Sequence, residues 1–165
     1  MKNLGKVFEE NFRKSTPEGV FFYRFRDSGS SFYGGNANLR FTSSNIADNM
    51  LFFNGCLLLN ELKSHKGKSI PISCIDGNKT KHRQIIDMIN ANKYHNVFCN
   101  LIVFFSDIER CFALDIEEFD NFARCDQRKS IPISFFEENG VEIKVTKKRT
   151  NYTFNLNKWL NEYYK

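Results

Sequence analysis

The sequence predicts an α/β fold, in which a mixed central β-sheet is flanked by helices within one domain spanning residues 1–165. Segments with helical and strand periodicity alternate along the chain, as they do in other α/β proteins. Asn54 and Gly55 lie between two apolar runs, which is the pattern of a two-residue hairpin turn. Residues 97–105 are almost entirely apolar, as is typical of a central strand. A hydrophobic content of 41%, with 18 Phe, supports a substantial buried core.

The periodicity places the remaining elements in order along the chain. A first helix covers residues 3–15, and a strand over residues 20–26 carries Arg24 and Arg26 on one face. The hairpin around Asn54 and Gly55 follows. After it come a helix over residues 79–91, strands over 97–105 and 110–115, a helix over 117–124, and a second hairpin of strands 141–146 and 151–156.

Charged residues converge at the base of the first hairpin. Counting outward from a two-residue loop places Asp48 directly opposite Glu61. Lys63 lies on the same face as Glu61, because alternate residues of a strand point the same way. Two neighbouring carboxylates repel each other, so a bound divalent cation is their natural partner. The alternative is a surface hairpin end in which Lys63 forms a salt bridge with either acid.

Glu9 and Gln84 each allow two interpretations. Glu9 borders a face of the first helix with Phe8 and Phe12, and it could point into the interior or lie in solvent beside Glu10. Gln84 lies at the edge of the apolar face of its helix, where it could hydrogen-bond a water or a phosphate. It could equally be an ordinary surface residue.

Residues 27–47 have no regular periodicity, and stretches of this length within a compact domain usually carry function or are disordered. Phe32, Tyr33 and Arg40 occur here among small polar residues. Aromatic rings stack on bases and guanidinium groups contact phosphates, so one interpretation is a DNA-contacting arm. The other is a flexible loop.

Basic residues are unevenly distributed along the chain. The net charge is +5, with 14 basic and 8 acidic residues in 1–100 but 10 and 11 in 101–165. The excess lies in the half that carries the candidate carboxylates, which suits a polyanionic partner. Candidate DNA contacts are the arginines of the first strand and two basic turns that could equally be solvated, namely Lys66 and Lys68 after the first hairpin and Lys147, Lys148 and Arg149 at the tip of the second.

Three further features limit the class of protein. No run of eighteen apolar residues occurs and the first six residues lack a signal-peptide core, so we expect a cytoplasmic protein that spans no membrane. Five widely spaced cysteines without a Cys-x-x-Cys pair disfavour a disulfide framework or a zinc site. The sequence Lys-Ser-Ile-Pro-Ile-Ser occurs twice, ending at Ser73 and Ser134, but six residues are too few to indicate a duplicated unit.

The set of motifs resembles a family of DNA junction nucleases. Over roughly residues 4–135, the motifs occur in the order seen in RecU-type Holliday-junction resolvases of the PD-(D/E)xK nuclease superfamily and, more distantly, in archaeal Hjc. They are Gly5, Phe8 and Glu9 on the first helix, the arginine-containing strand, the Ser-Gly-Ser-Ser loop, Asp48, Glu61-Leu-Lys63 and Gln84.

The resemblance implies a restriction-endonuclease-like core and a homodimer that resolves four-way DNA junctions by paired symmetric nicks. It implies Mg²⁺ as the cofactor, with Mn²⁺ as a second candidate. Residues 27–47 occupy the place of the stalk that enters the junction in RecU proteins, and Ser30 matches the loop serine of the archaeal enzymes. The implied site residues are Asp48, Glu61 and Glu9 as metal ligands, Lys63 as the catalytic lysine and Gln84 as an accessory residue.

Two other interpretations use the same core. One is a restriction-type or repair endonuclease that cuts ordinary duplex DNA, and the other is a DNA-binding protein that has lost catalysis. No separate base-reading module is evident in 165 residues, which favours recognition of DNA shape. The presence of Asp48, Glu61 and Lys63 together favours catalysis.

Overall fold

The computed structural model of the protein describes residues 4–25, 45–125 and 128–165. None of the helices in this described part is long and apolar enough to cross a membrane. Besides a short 3-10 helix at Ile72–Cys74, the elements in chain order are α1 (Leu4–Lys14), β1 (Phe21–Arg24), β2 (Asn49–Phe53), β3 (Cys56–His65), β4 (Ser69–Pro71), α2 (Lys79–Asn92), β5 (Val97–Phe105), β6 (Arg110–Asp115), α3 (Ile116–Cys125), β7 (Ser130–Pro132), α4 (Ile133–Asn139), β8 (Val141–Ile143), β9 (Val145–Lys148), β10 (Asn151–Phe154) and α5 (Leu156–Tyr163).

Within the described residues, the central sheet has six strands in the order β1-β2-β3-β5-β6-β8. Strands β3 and β5 run parallel, and every other neighbouring pair in this sheet is antiparallel. The connection between the two parallel strands contains α2, as a crossover between parallel strands requires. The predicted mixed sheet is therefore confirmed.

Each face of the sheet carries its own hydrophobic core. Successive residues of a strand point to opposite faces, so Leu101 of β5 lies in one core and Ile102 in the other. Helices cover both cores, which confirms the predicted α/β class. The main helical contributions are Met88 of α2, Phe119 of α3 and Phe136 of α4 on the first face, and Phe8 and Phe12 of α1 with Trp159 of α5 on the second.

The first hairpin forms with the predicted turn. Asn54 and Gly55 have φ angles of 48° and 77°, as a two-residue turn with two left-handed residues requires. The β2–β3 ladder runs as predicted, and its last paired step is Asn49 with Asn60. Asp48, expected one step further out and opposite Glu61, lies just beyond the end of this ladder.

The segment at residues 27–47 is described only at its end. Ala47 is 1% exposed and packs into the core on the α2 face, so the last residues of this segment belong to the core rather than to an arm. The predicted DNA-contacting arm or stalk otherwise lies outside the described residues.

The second predicted hairpin is wrong in its boundaries. Strand β8 pairs with β6 in the central sheet, and only β9 pairs with β10. Lys148 pairs with Asn151, so the tip consists of Arg149 and Thr150, and Lys147 belongs to β9. An alternating pattern identifies a strand but not its partner, and here two short strands that alternate alike belong to different sheets.

The repeated hexapeptide forms a small antiparallel ladder of its own. Strand β4 of the first copy pairs with β7 of the second around Ile70 and Ile131, both of which are buried. The ladder is extended symmetrically, because Ile72 N–H donates to the Lys129 carbonyl at 3.0 Å and Ile133 N–H donates to the Lys68 carbonyl at 2.9 Å. The repeat thus joins the loop after β3 to the start of α4.

Candidate active site

Four predicted site residues lie together beside the base of the β2–β3 hairpin: Asp48, Glu61, Lys63 and Gln84. Glu61 is 3% exposed. Its Oε1 forms an ion pair with Lys63 Nζ, and its Oε2 accepts a hydrogen bond of 2.8 Å from Gln84 Nε2. Strand alternation places Glu61 and Lys63 on one face of β3, and α2, which covers that face, supplies Gln84.

Asp48 completes the carboxylate pair from the residue before β2. Its N–H donates to the Asn60 carbonyl at 3.1 Å, and its Oδ2 accepts a hydrogen bond of 2.7 Å from Leu62 N–H. Burial and the neighbouring Glu61 carboxylate raise the pKa of Asp48 to about 7, although Lys63 and the Leu62 N–H act in the opposite direction. The two carboxylates are therefore electrostatically coupled neighbours.

Lys63 remains a cation in this environment. Burial opposes its charge, but Glu61, Asp48 and Glu9 together raise the pKa of Lys63 above its ordinary value. A lysine in this state donates hydrogen bonds and supplies positive charge, and it does not accept a proton. It lies in the field of three carboxylates, so Lys63 by itself does not neutralise the site.

Glu9 lies within electrostatic reach of this pair but makes its contacts elsewhere. Arg24 of β1 donates to Glu9 Oε2 from Nε at 3.0 Å and from Nη2 at 2.8 Å. The Glu9 side chain is 25% exposed, and its charge contributes to the raised pKa values of Asp48 and Lys63. Glu9 and Arg24 line an open cleft together with Lys6, Glu10 and Arg13. The role of Glu9 as a third metal ligand stays a prediction.

The donor set at the hairpin fits a hard divalent cation. No group of three or more His, Cys, Asp or Glu side chains among residues 4–25, 45–125 and 128–165 is arranged as a metal cage. Mg²⁺ needs no such cage, because it binds through one or two carboxylates and keeps several waters. Asp48 and Glu61 supply hard oxygen donors. Burial and the Glu61 carboxylate raise the pKa of Asp48, and a bound cation would act against both.

Comparison with known proteins identifies the family. The sequence profile described as RecU, Recombination protein U, matches residues 37–158, which is well over half of the chain. The chain belongs to the RecU family. It is 34% identical over 174 residues to the SPbeta prophage-derived uncharacterized protein YotM of Bacillus subtilis (strain 168), with 97% of this chain and 86% of that protein covered.

A solved structure shares the fold of this RecU-family chain. Hjc of Archaeoglobus fulgidus, a Holliday junction resolvase, matches with a TM-score of 0.52 at 11% identity, covering 83% of this chain and 93% of that chain. The RecU family expected from the sequence is thereby confirmed, and the shared fold agrees with the predicted likeness to archaeal Hjc.

Five of the basic residues predicted to contact DNA lie in two exposed segments, which we call the basic edge. Lys66 and Lys68 lie in the turn between β3 and β4, Lys147 and Lys148 lie at the end of β9, and Arg149 lies in the turn after β9. Lys147 forms an ion pair with Glu109 in the turn after β5. Gly67 N–H in the turn after β3 donates to Asp107 Oδ2 at 3.0 Å, so both basic segments contact the turn between β5 and β6. Because β3 and β5 are parallel, the turns that follow them lie at the same end of the sheet.

The guanidinium of Arg24, another predicted DNA contact, pairs with Glu9, and its contact with DNA stays a prediction. The remaining candidates lie outside the described residues, and their contacts stay predictions: Arg26, Ser30, Phe32, Tyr33 and Arg40.

Two pairings within the site were not predicted. Gln84 donates to Glu61 rather than to a water or phosphate, and Arg24 holds Glu9. The sequence carried no signal for the second pairing, because Glu9 lies on α1 and Arg24 on β1 and periodicity does not specify which elements meet. The only sequence signal for the pairing of Gln84 with Glu61 is the position of Gln84 at the edge of the apolar face of its helix.

Proposed function

We propose that the protein is a structure-selective, Mg²⁺-dependent endonuclease that resolves four-way DNA junctions by paired symmetric nicks. The observation that carries this proposal is the coupled Asp48–Glu61 carboxylate pair, contacted by Lys63 and Gln84, in a chain of the RecU family. Buried charges are costly unless they have a partner, and among the described residues Lys63 is the cation that contacts this pair of carboxylates. A bound divalent cation resolves that imbalance.

Asp48 and Glu61 would hold the cation, with Glu9 as a third ligand. When bound, Mg²⁺ or Mn²⁺ would lower the pKa of a coordinated water and neutralise charge on the scissile phosphate. Glu9 would then exchange part of its contact with Arg24 for the cation. Arg24 would remain close enough to keep the Glu9 carboxylate oriented.

Lys63 and Gln84 would act beside the cation. Because Lys63 stays protonated, it would donate a hydrogen bond to the attacking water and stabilise the negative charge that builds on the phosphate. Gln84 would hold Glu61 through Oε2 and so fix the direction in which that carboxylate faces. Neither residue has to move a proton in this scheme.

The basic edge and a second copy of the chain would recognise the junction. Lysines and arginines of the two basic turns would contact phosphates, which fix the position of the DNA without reading its sequence. The segment of residues 27–47, apart from its buried end at Ala47, would extend this surface as a DNA-contacting arm of the single nuclease domain. A two-fold junction needs two opposed cuts, and a homodimer supplies one active site for each. We place the activity in the cytoplasm.

A cleavage assay with paired substrates tests the proposal. Purified protein is incubated with a four-way junction or with linear duplex of the same sequence, in Mg²⁺ or in EDTA. We expect symmetric cuts in the junction alone, and only with the metal. Equal cutting of the duplex would instead support a restriction-type or repair endonuclease. Binding without cutting in either Mg²⁺ or Mn²⁺ would support a DNA-binding protein that has lost catalysis.

A further inference from the structure

A continuous chain of side-chain hydrogen bonds crosses the sheet on the face opposite Glu61. Tyr164 Oη donates to Asn100 Oδ1 at 3.2 Å. Asn100 Nδ2 donates to Asn60 Oδ1 at 3.2 Å, and Asn60 Nδ2 donates to Asn49 Oδ1 at 3.0 Å. These four residues, which we call the asparagine chain, are each at most 7% exposed and join the adjacent strands β5, β3 and β2.

The asparagine chain lies directly behind the carboxylate pair. Asn49 follows Asp48 and Asn60 precedes Glu61, and neighbouring residues of a strand point to opposite faces. Asn49 and Asn60 also form the last paired step of the β2–β3 ladder. The hydrogen bond between their side chains therefore closes the ladder at the point where the two carboxylates begin.

Amides at these positions make the strand register specific. On the same face of β3, Asn60 lies between Leu58 and Leu62, which are buried hydrophobic residues. A third leucine would pack in several registers, whereas a buried amide is costly unless it finds its partners. A shift of one residue between β2 and β3 would take Asn60 away from Asn49 and leave buried polar groups unpaired.

Tyr164, near the C-terminus, contacts the turn of the β2–β3 hairpin and the asparagine chain behind its base. Its ring packs against Phe98 and Trp159, with centroid distances of 4.9 and 5.5 Å. Its carbonyl accepts a hydrogen bond of 3.4 Å from Asn54 Nδ2 in the hairpin turn, and its hydroxyl begins the asparagine chain behind the hairpin base. Tyr164 lies beyond residues 37–158, which the RecU profile matches.

We propose that the asparagine chain positions Asp48 and Glu61 for metal binding. Its members would touch neither the metal nor the DNA. They hold β2, β3 and β5 in the register in which the two carboxylates share one cation, and Tyr164 makes the C-terminal residues part of that support. The inference rests on the proposed function, because it requires the carboxylate pair to bind a metal.

The test measures Mn²⁺ affinity and junction cleavage in two variants with matched controls. Tyr164→Phe removes only the terminal hydroxyl, and Asn60→Ala breaks the chain at its centre. Tyr163→Phe removes a hydroxyl from the exposed tyrosine next to Tyr164, and Ile143→Ala removes a buried side chain in β8. Titration calorimetry with MnCl₂ in the absence of DNA measures the Kd for Mn²⁺ independently of cleavage. Cleavage kinetics give kcat and KM separately.

We expect the Kd for Mn²⁺ to rise about 10-fold in Asn60→Ala, the lower end of the range for residues that support metal ligands. Tyr164→Phe removes one hydrogen bond at the far end of the asparagine chain, so its effect should be smaller, about 3-fold. The kcat should fall by similar factors, while KM for the junction stays the same. Tyr163→Phe should match the wild type. Ile143→Ala should lower the melting temperature without changing the Kd for Mn²⁺.

Variants that bind Mn²⁺ as tightly as their controls overturn the inference, even if they melt at a lower temperature. If Asn60→Ala does not fold, Tyr164→Phe decides the question alone. If the wild-type protein cuts junctions but both variants match their controls, the inference is overturned and the proposed function is retained. A wild-type protein that neither binds Mn²⁺ nor cuts a junction overturns both.

Discussion

Two polar clusters lie on opposite faces of the same strands, one residue apart. On one face, Asp48, Glu61 and Lys63 form a charged cluster. On the other, Asn49 and Asn60 belong to the neutral asparagine chain. Both clusters join β2 to β3, and they differ in how fully their groups are satisfied. In the asparagine chain each of the three links joins a donor to an acceptor, whereas the charged cluster, counted over the described residues, has two carboxylates and one cation.

This difference indicates that the asparagine chain supports the structure and that the charged cluster carries out the chemistry. A buried polar network whose members are all paired makes a structure more rigid and more specific. A buried cluster with unbalanced charge lowers stability, so its presence indicates a ligand that the protein alone does not supply. Changes in the charged cluster should therefore remove activity while the fold remains. Changes in the asparagine chain should weaken metal binding and lower kcat by smaller factors. Changes outside both clusters should alter DNA binding or stability and leave the chemical step intact.

Removing the charge of Glu61 should produce the largest effect. Glu61→Gln keeps the size of the side chain and its contact with Gln84, but it removes a ligand charge from the site. Mutating a residue that only supports a metal ligand commonly lowers metal affinity or activity by about 10–100-fold. Because Glu61 is assigned as a ligand itself, we expect junction cleavage to fall by at least about 10²-fold. Junction affinity, measured in Ca²⁺ or EDTA, should change little.

The matched control for this variant is Glu162→Gln, an exposed glutamate of α5 that contacts Lys158. It should cleave at the wild-type rate. If Glu61→Gln cut junctions as fast as Glu162→Gln, Glu61 would have no part in the mechanism.

Removing Lys63 should have the next largest effect. Lys63→Ala deletes the cation on Glu61 Oε1 and the donor that we assign to the transition state. We expect a loss of about 10²-fold in single-turnover cleavage, with junction affinity retained, because preorganised charge acts mainly on the transition state. Lys158→Ala, which removes a lysine from a surface pair, should leave the rate unchanged. Equal rates for the two variants would contradict the role of Lys63.

Short-range signals explain why the main site could be predicted from the sequence. Asn54 and Gly55 favour one turn type, that turn sets the register, and the register brings Asp48 beside Glu61. All of these residues lie within one hairpin, so no information about the rest of the fold is needed. The prediction fails only at the last step, where Asp48 lies beyond the ladder instead of continuing it.

Long-range pairings could not be predicted in the same way. Arg24 with Glu9 and Lys147 with Glu109 join residues on different elements, and periodicity does not specify which elements meet. The repeated hexapeptide illustrates the same limit. Its two copies were visible in the sequence, but pairing between copies that begin about 60 residues apart depends on the intervening helices and strands.

The carboxyl of Asp48 should make the metal-free protein less stable as pH rises. Its pKa is raised from 3.8 to about 7 in the folded protein, so the folded state holds this proton more tightly than the unfolded chain does. The corresponding stability is complete below about pH 4 and is lost as pH rises through 7. Asp48→Asn removes this titration and retains an oxygen that can accept from Leu62 N–H.

Thermal melts in EDTA between pH 4 and 8 measure this effect. We expect the melting temperature of wild type to fall relative to that of Asp48→Asn by several degrees, since about 1 kcal/mol corresponds to roughly 2–4 °C in a protein of this size. Saturating Mg²⁺ should restore the wild type at pH 8 but not the variant. Parallel curves for the two proteins would show that Asp48 titrates normally.

A lysine outside both clusters should show the smallest effect and the opposite kinetic pattern. Lys148 is exposed in the basic β9–β10 turn, apart from the carboxylates and from the asparagine chain. Lys148→Ala should weaken binding to junction and duplex alike and reduce the slope of log affinity against log salt by about 1, as the loss of one phosphate contact does. Single-turnover cleavage at saturating protein should remain at the wild-type rate, because the charged cluster is unchanged. A fall in that rate with an unaltered salt slope would place Lys148 in the chemical step and remove the distinction between the basic edge and the charged cluster.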